Sequence, residues 1–121
     1  MMTTTKFGLL LTNISGAQPG TDLQLVATLV HWQAFRIPSG AIHLVGYCVE
    51  RNEGRASTAL VSFDPRSRRC TTESGRVYVL SGPPGSDGDA RCVWSRFKSV
   101  YDIVDDVEVT MEMASALERD T

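Results

Sequence analysis

Three short turn signals punctuate residues 52–75 of this chain: Asn52-Glu53-Gly54, Asp64-Pro65-Arg66-Ser67 and Glu73-Ser74-Gly75. Each separates runs rich in β-branched and aromatic residues, so this stretch has no room for a helix and has to fold back on itself as hairpins. Pro65 stands where its fixed φ suits the second position of a type I turn. The spacing predicts that residues 41–51 pair with 55–63, and that 68–72 pair with 76–80. Sequential strands commonly lie beside one another, so a β-meander is expected. In 41–50, Ile42, Leu44, Gly46 and Cys48 alternate with His43, Val45, Tyr47 and Val49, which predicts a strand buried on much of both faces.

Upstream, residues 21–32 (TDLQLVATLVHW) fit two patterns. Leu23, Val26, Ala27 and Val30 form a helical face, whereas Leu23, Leu25, Ala27 and Leu29 form a strand face. The valines, the threonine and the preceding Pro19-Gly20 turn favour the strand. Ile37-Pro38-Ser39-Gly40 then reads as a loop. After Gly82-Pro83-Pro84-Gly85 the period changes: Ala90, Val93, Trp94, Phe97 and Tyr101 fall at helical spacing, with Ser86 and Asp89 as a shortened capping box, so 87–101 is expected to be an amphipathic helix. Val107, Val109, Met111 and Met113 alternate with Glu108, Thr110 and Glu112, which predicts a last strand with a wet, acidic face. A helix through Val104, Val107, Met111 and Ala114 is the alternative.

These elements predict one α+β domain over residues 1–121: a mainly antiparallel sheet of five or six strands with one amphipathic helix packed on a face. A single helix leaves apolar surface uncovered on the strands at 41–50 and 56–63, and a homodimer through that face or a sheet edge is the expected remedy.

Charge is unevenly placed. Residues 1–98 carry eleven basic and seven acidic groups, net +4, while 99–121 carry Arg119 against seven acids, net −6. Two readings follow: the acidic end packs against the chain's own arginines, such as Arg66, Arg68, Arg69 or Arg91, or it meets a basic protein partner. On the second reading Asp102, Asp105, Asp106, Glu108 and Glu112 form the contact surface. Arg66, Arg68, Arg69 and Arg76, with Tyr78 or Phe63 for stacking, outline a small basic ribbon, yet the overall net charge of −2 argues against nucleic acid. No run approaches the ~18 to 20 apolar residues of a membrane span, and residues 1–12 lack the pattern of a secretory leader, so a cytoplasmic protein with no membrane partner is expected.

Motifs for chemistry are sparse. Cys48, Cys70 and Cys92 stand 22 residues apart, a spacing of no metal knuckle or redox pair, and each reads as a reduced, small core residue. His31 and His43 lack a paired spacing for a metal or a visible partner for acid–base work, so no metal, cofactor or catalytic residue is assigned. The Gly82–Gly85 prolines offer no N–H to an anion, leaving a rigid strand-to-helix turn. Should the sheet and helix enclose a ligand pocket, its lining candidates are His31, Trp32, His43, Tyr47, Tyr78, Trp94 and Phe97.

The runs from Ser57 to Asp64 and from Thr72 to Leu80, followed by Gly82-Pro83-Pro84-Gly85 and Val93-Trp94, resemble a pattern in small uncharacterised bacterial proteins encoded on mobile elements such as integron gene cassettes. The resemblance spans residues 41–97 and implies a bacterial cytosolic context and an accessory role, with no catalytic residue to carry over. The leading functional expectation is therefore a non-enzymatic module that binds another macromolecule. The runner-up is a small-molecule-binding protein or minor enzyme with a pocket between sheet and helix.

Overall fold

The computed structural model describes residues 26–119, so the expected start of the first strand at 21–25 lies outside the described residues. Strands β1 (Val26–Arg36), β2 (Ile42–Cys48), β3 (Glu53–Ala56), β4 (Leu60–Asp64), β5 (Arg69–Thr72) and β6 (Val77–Leu80) precede helix α1 (Gly88–Val100). The short strand β7 (Val107–Glu108) and helix α2 (Thr110–Arg119) follow. The strand order is β3-β2-β1-β6-β5-β4, with β7 joining β1, and every pairing is antiparallel except β1 with β6. The protein is thus α+β with a mostly antiparallel sheet, but the described residues form seven strands and two helices, and the meander is broken.

All three hairpins form. The break falls between the first hairpin and the next three strands, where 55–63 was expected to be one strand. Ser57 ends the pairing by saturating the end of β2: its N–H donates to the Leu44 carbonyl at 2.8 Å, and its hydroxyl accepts from the Leu44 N–H at 2.8 Å. The chain leaves β2 there, and β4 starts at the opposite edge of the sheet. Only residues 57–59 link the two edges, a reach of about 14 Å from Ala56 to Leu60. Six strands laid flat would separate those edges by about 24 Å. The sheet therefore curls until its edges nearly meet, and the Glu73 N–H, donating to the Ala59 carbonyl at 2.8 Å, extends the β4–β5 ladder into the linker.

A bulge in β1 completes the curl. His31 has a φ of 51°, and His31 and Trp32 together face Gly46 across the ladder, where the pairing steps from Val30–Tyr47 to Gln33–Val45. A Cβ on Gly46 would lie 3.2 Å from the Trp32 Cα. Beyond the bulge the free side of β1 changes partner, from β6 at 26–29 to β7 at 35–36.

The concave face holds Ala27, Leu29, Trp32, Ala34, Leu44, Cys48, Cys70, Tyr78 and Leu80 in one buried cluster. Arg55 sits opposite Gly46, its Nε donating to Glu53 Oε2 at 2.9 Å and its guanidinium interacting with the Tyr78 side chain across the curl. Helix α2 adds Met113, Ala114 and Leu117 to that cluster, so the face expected to stay bare is covered. The strand predicted at 107–113 shrinks to two residues because Thr110 diverts the chain: its hydroxyl accepts from the Ala34 N–H at 2.9 Å and donates to Glu108 Oε2 at 2.7 Å. The helical alternative was right in type, but of its stripe only Ala114 is buried, while Val104, Val107 and Met111 are exposed.

Helix α1 crosses the convex face of β2 and β3. Its cap is Asp87, whose Oδ2 accepts from the Ala90 N–H at 2.9 Å, rather than the expected pairing of Ser86 with Asp89. Gly54 sets the approach: a Cβ there would stand 2.2 Å from the Ala90 nitrogen. This glycine belongs to β3 and makes room for the helix, while Asn52, at a φ of 55°, is the left-handed residue of the turn. The Gly82–Gly85 segment is a fixed strand-to-helix connection as expected, with the Gly85 N–H donating to the Trp32 carbonyl at 3.0 Å and Trp32 Nε1 to the Gly82 carbonyl at 3.2 Å. No helix among the described residues is long and apolar enough to cross a membrane.

Candidate functional site

Between α1 and the sheet runs a ladder of rings. Phe35 stacks on Trp94 at 5.6 Å between centroids, Trp94 on Phe97 at 5.6 Å, and Phe97 meets Tyr101 at 4.7 Å. His43 lies 5.3 Å from both Trp94 and Phe97. The ladder exists because Trp94, Phe97 and Tyr101 recur at steps of three and four on α1, while Phe35 and His43 are cross-strand partners on the convex face. Its buried end is Trp94 and its open end is Tyr101, which is 64% exposed.

His43 is itself buried, and its Nδ1 is 2.8 Å from the Ser57 carbonyl. A carbonyl oxygen only accepts, so Nδ1 carries a proton and donates this bond. At the open end of the ladder the sheet seam and the end of α1 frame a cleft of about 460 Å³. Ile37, Phe97, Tyr101 and Ile103 give it apolar walls, and His43 forms part of its lining. The seam contributes Thr58, whose hydroxyl is tied to the Ser74 hydroxyl at 3.2 Å, and Glu73.

The segment that follows α1 is clamped by Asp106. Its Oδ2 accepts from Trp94 Nε1 at 3.1 Å, and Lys98 Nζ lies 3.2 Å from Oδ1 and 5.9 Å from the Trp94 ring centre. Burial works to raise the Asp106 carboxyl, but the bonds from Trp94 and Lys98 and the lysine charge outweigh it and hold the group below the usual carboxylate range.

The seven residues expected to line one pocket divide between the two faces. His43, Trp94 and Phe97 come together. Trp32 and Tyr78 lie in the concave core, His31 is exposed on the bulge beside Gly85, and Tyr47 bonds Asn52 at the first hairpin. Phe35, Ile37, Glu73, Tyr101 and Ile103 complete the ladder and cleft without having been singled out as site residues. Tyr101 carried a signal, its place on the helical stripe, but Ile37 and Glu73 had none beyond their turns.

The acidic residues divide too. Asp106 serves α1, and Glu108 Oε2 accepts from Gln33 Nε2 at 3.0 Å as well as from Thr110, so neither is a free contact group. Asp102, Asp105 and Glu112 are exposed, and between them the apolar Val100 (68%), Tyr101, Val104 (66%), Val107 and Met111 are exposed as well. Of the expected basic ribbon, Arg68 is committed to the Leu80 and Gly82 carbonyls, and Tyr78 is buried, which removes its stacking face. Cys48 and Cys70 are buried as expected, whereas Cys92 is exposed on α1, a position the sequence assigned to the core. Among the described residues no three His, Cys, Asp or Glu side chains converge as a metal site. No family model, curated protein or solved structure matches the chain.

Proposed function

We propose that this is a non-enzymatic bacterial accessory protein, acting in the cytoplasm, that binds another protein through the surface running from the end of α1 to the start of α2. The observation that carries the reading is the exposure of Val100, Tyr101 and Val104, each about two-thirds open to solvent, beside Asp102 and Asp105. Large apolar side chains left in water beside charged ones, here Asp102 and Asp105 with Arg96 bordering Val100 and Tyr101 on the helix side, mark interaction surfaces. The acids Asp102 and Asp105 favour a partner protein with an apolar centre and basic groups at its rim. Tagged protein is used to capture partners from bacterial lysate across rising salt, alongside Val104→Asp and the Asp102→Asn/Asp105→Asn pair. A stoichiometric partner that salt releases and that Val104→Asp reduces at least about tenfold supports the reading. Equal capture by all three proteins overturns it.

A second reading, small-molecule binding, is favoured by one observation: the cleft beside His43, whose size of about 460 Å³ lies within the range of ligand sites.

A further inference from the structure

We propose that the cleft at the sheet seam selects a small organic cation, a protonated amine on an aromatic or aliphatic body. The inference rests on the small-molecule reading and adds the ligand's charge and shape. Among the described residues lining the cleft, Glu73 is the one carboxylate and none is a lysine or arginine. The nearest lysine along α1, Lys98, is held by Asp106. The walls are apolar, and the exposed Tyr101 ring, tilted 45° against Phe97, offers a π face at the mouth. A cation stacked on such a ring and facing a carboxylate is attracted by both. The His43 Nδ1–H is spent on the Ser57 carbonyl, so that donor is not offered to a ligand. An anion entering the same cleft meets Glu73, finds no cationic side chain among the described lining residues, and loses hydration there. The volume suits a body of about ten to fifteen non-hydrogen atoms.

Three probes of one shape separate charge from fit: tryptamine, the neutral indole-3-ethanol and the anionic indole-3-acetate. Each is titrated into the full-length protein and followed by amide NMR at residues 37, 43, 73, 101 and 103. The expected result is saturable tryptamine binding in the high-micromolar to millimolar range, with the alcohol weaker and the acid weakest. Glu73→Gln should weaken tryptamine about three- to fivefold while leaving the alcohol unchanged, and Tyr101→Leu should cost about two- to fivefold. Both side chains are at the surface, and the unperturbed amide spectrum of each variant checks its fold. If the acid or alcohol binds as tightly as the amine, or Glu73→Gln has no effect, the cation inference falls and the small-molecule reading stands. If no probe shifts these amides, both fall.

Discussion

The two faces of the sheet are packed by different chemistry. On the concave side the core is mostly aliphatic and closed: Leu29, Leu44, Leu80, Cys48, Cys70 and Trp32 are each under 2% exposed, and α2 seals them with Met113 and Leu117. Beneath α1 the buried apolar cluster among the described residues is just Val45, Ala90 and Trp94, and a ladder of rings leads outward to a cleft. Curling the sheet encloses one face and splays the other. The enclosed face can be filled by area-driven packing alone, but a helix on the splayed face touches it along one line and needs polar anchors at its ends. Asp87 caps the start of α1 through the Ala90 N–H, and Asp106 ties the segment after it to Trp94 and Lys98. The surface available for binding therefore lies on the convex side, where packing stops short.

The comparison can be broken most severely on the closed side. Trp32→Ala removes the largest fully buried side chain together with its bond to Gly82, and should destabilise the protein by about 3–5 kcal/mol in chemical denaturation. Sheet and α1 should melt together, because β1 is the strand that all the others are ordered around. On the open side Gly54→Ala should cost about 2–3 kcal/mol, since the added Cβ meets helix backbone rather than a yielding side chain. Its signature differs: amide exchange should rise in residues 88–100 while β5 and β6 keep their protection. Equal loss across both would show that the two layers are one cooperative unit.

Asp106→Asn tests the anchoring of the open side and should cost about 1 kcal/mol at neutral pH, by weakening the bonds to Trp94 and Lys98. The pH dependence has a definite sign. The folded carboxyl titrates below its ordinary value of 3.8, so the ionised form is favoured by folding. Its contribution is fully present above that value and is lost as pH falls below it through the folded pKa. Glu50 acts the same way, held low by the Thr28 N–H and hydroxyl. Wild-type stability should drop on acidification below about pH 4, with the Asp106→Asn slope shallower. Parallel slopes would remove Asp106 from the account.

Local chemistry was readable in the sequence, and long-range closure was not. The hairpin turns, the strand at 42–48 and the helix near 87–101 follow from residues within a few positions of one another. The broken meander depends on Ser57 bonding Leu44, thirteen positions away, which no period reveals. Trp32 was assigned to the helix-facing pocket, and regular alternation from Leu29 would put it there; the bulge at His31 turns it inward. At the C-terminal end the alternation of Val107, Val109, Met111 and Met113 imitated a strand over seven residues. Helical burial at Met113, Ala114 and Leu117 outweighs it only when the concave face is there to receive α2. Of the cleft, His43, Trp94 and Phe97 were legible because strand parity and helix period pointed them at one another. Ile37, Glu73 and Ile103 come from three separate loops and turns.

The smallest expected effect sharpens the contrast most, because it reports on both sides at once without disturbing either. Cys92 is exposed on α1, while Cys48 and Cys70 are fully buried on the concave side. Burial also pushes the Cys70 thiol up to about 12, which withholds its reactive thiolate at neutral pH. A thiol reagent applied to the native protein should therefore consume one equivalent rapidly, at Cys92. The other two should react only through opening of the core, at rates that follow denaturant. In Gly54→Ala the two slow thiols should stay slow if the closed face stands independently of α1. If they accelerate in step with the loss of helix protection, α1 contributes to closing the curl, and the division between a sealed face and an open one would have to be redrawn around β3, where Gly54 and Arg55 are neighbours.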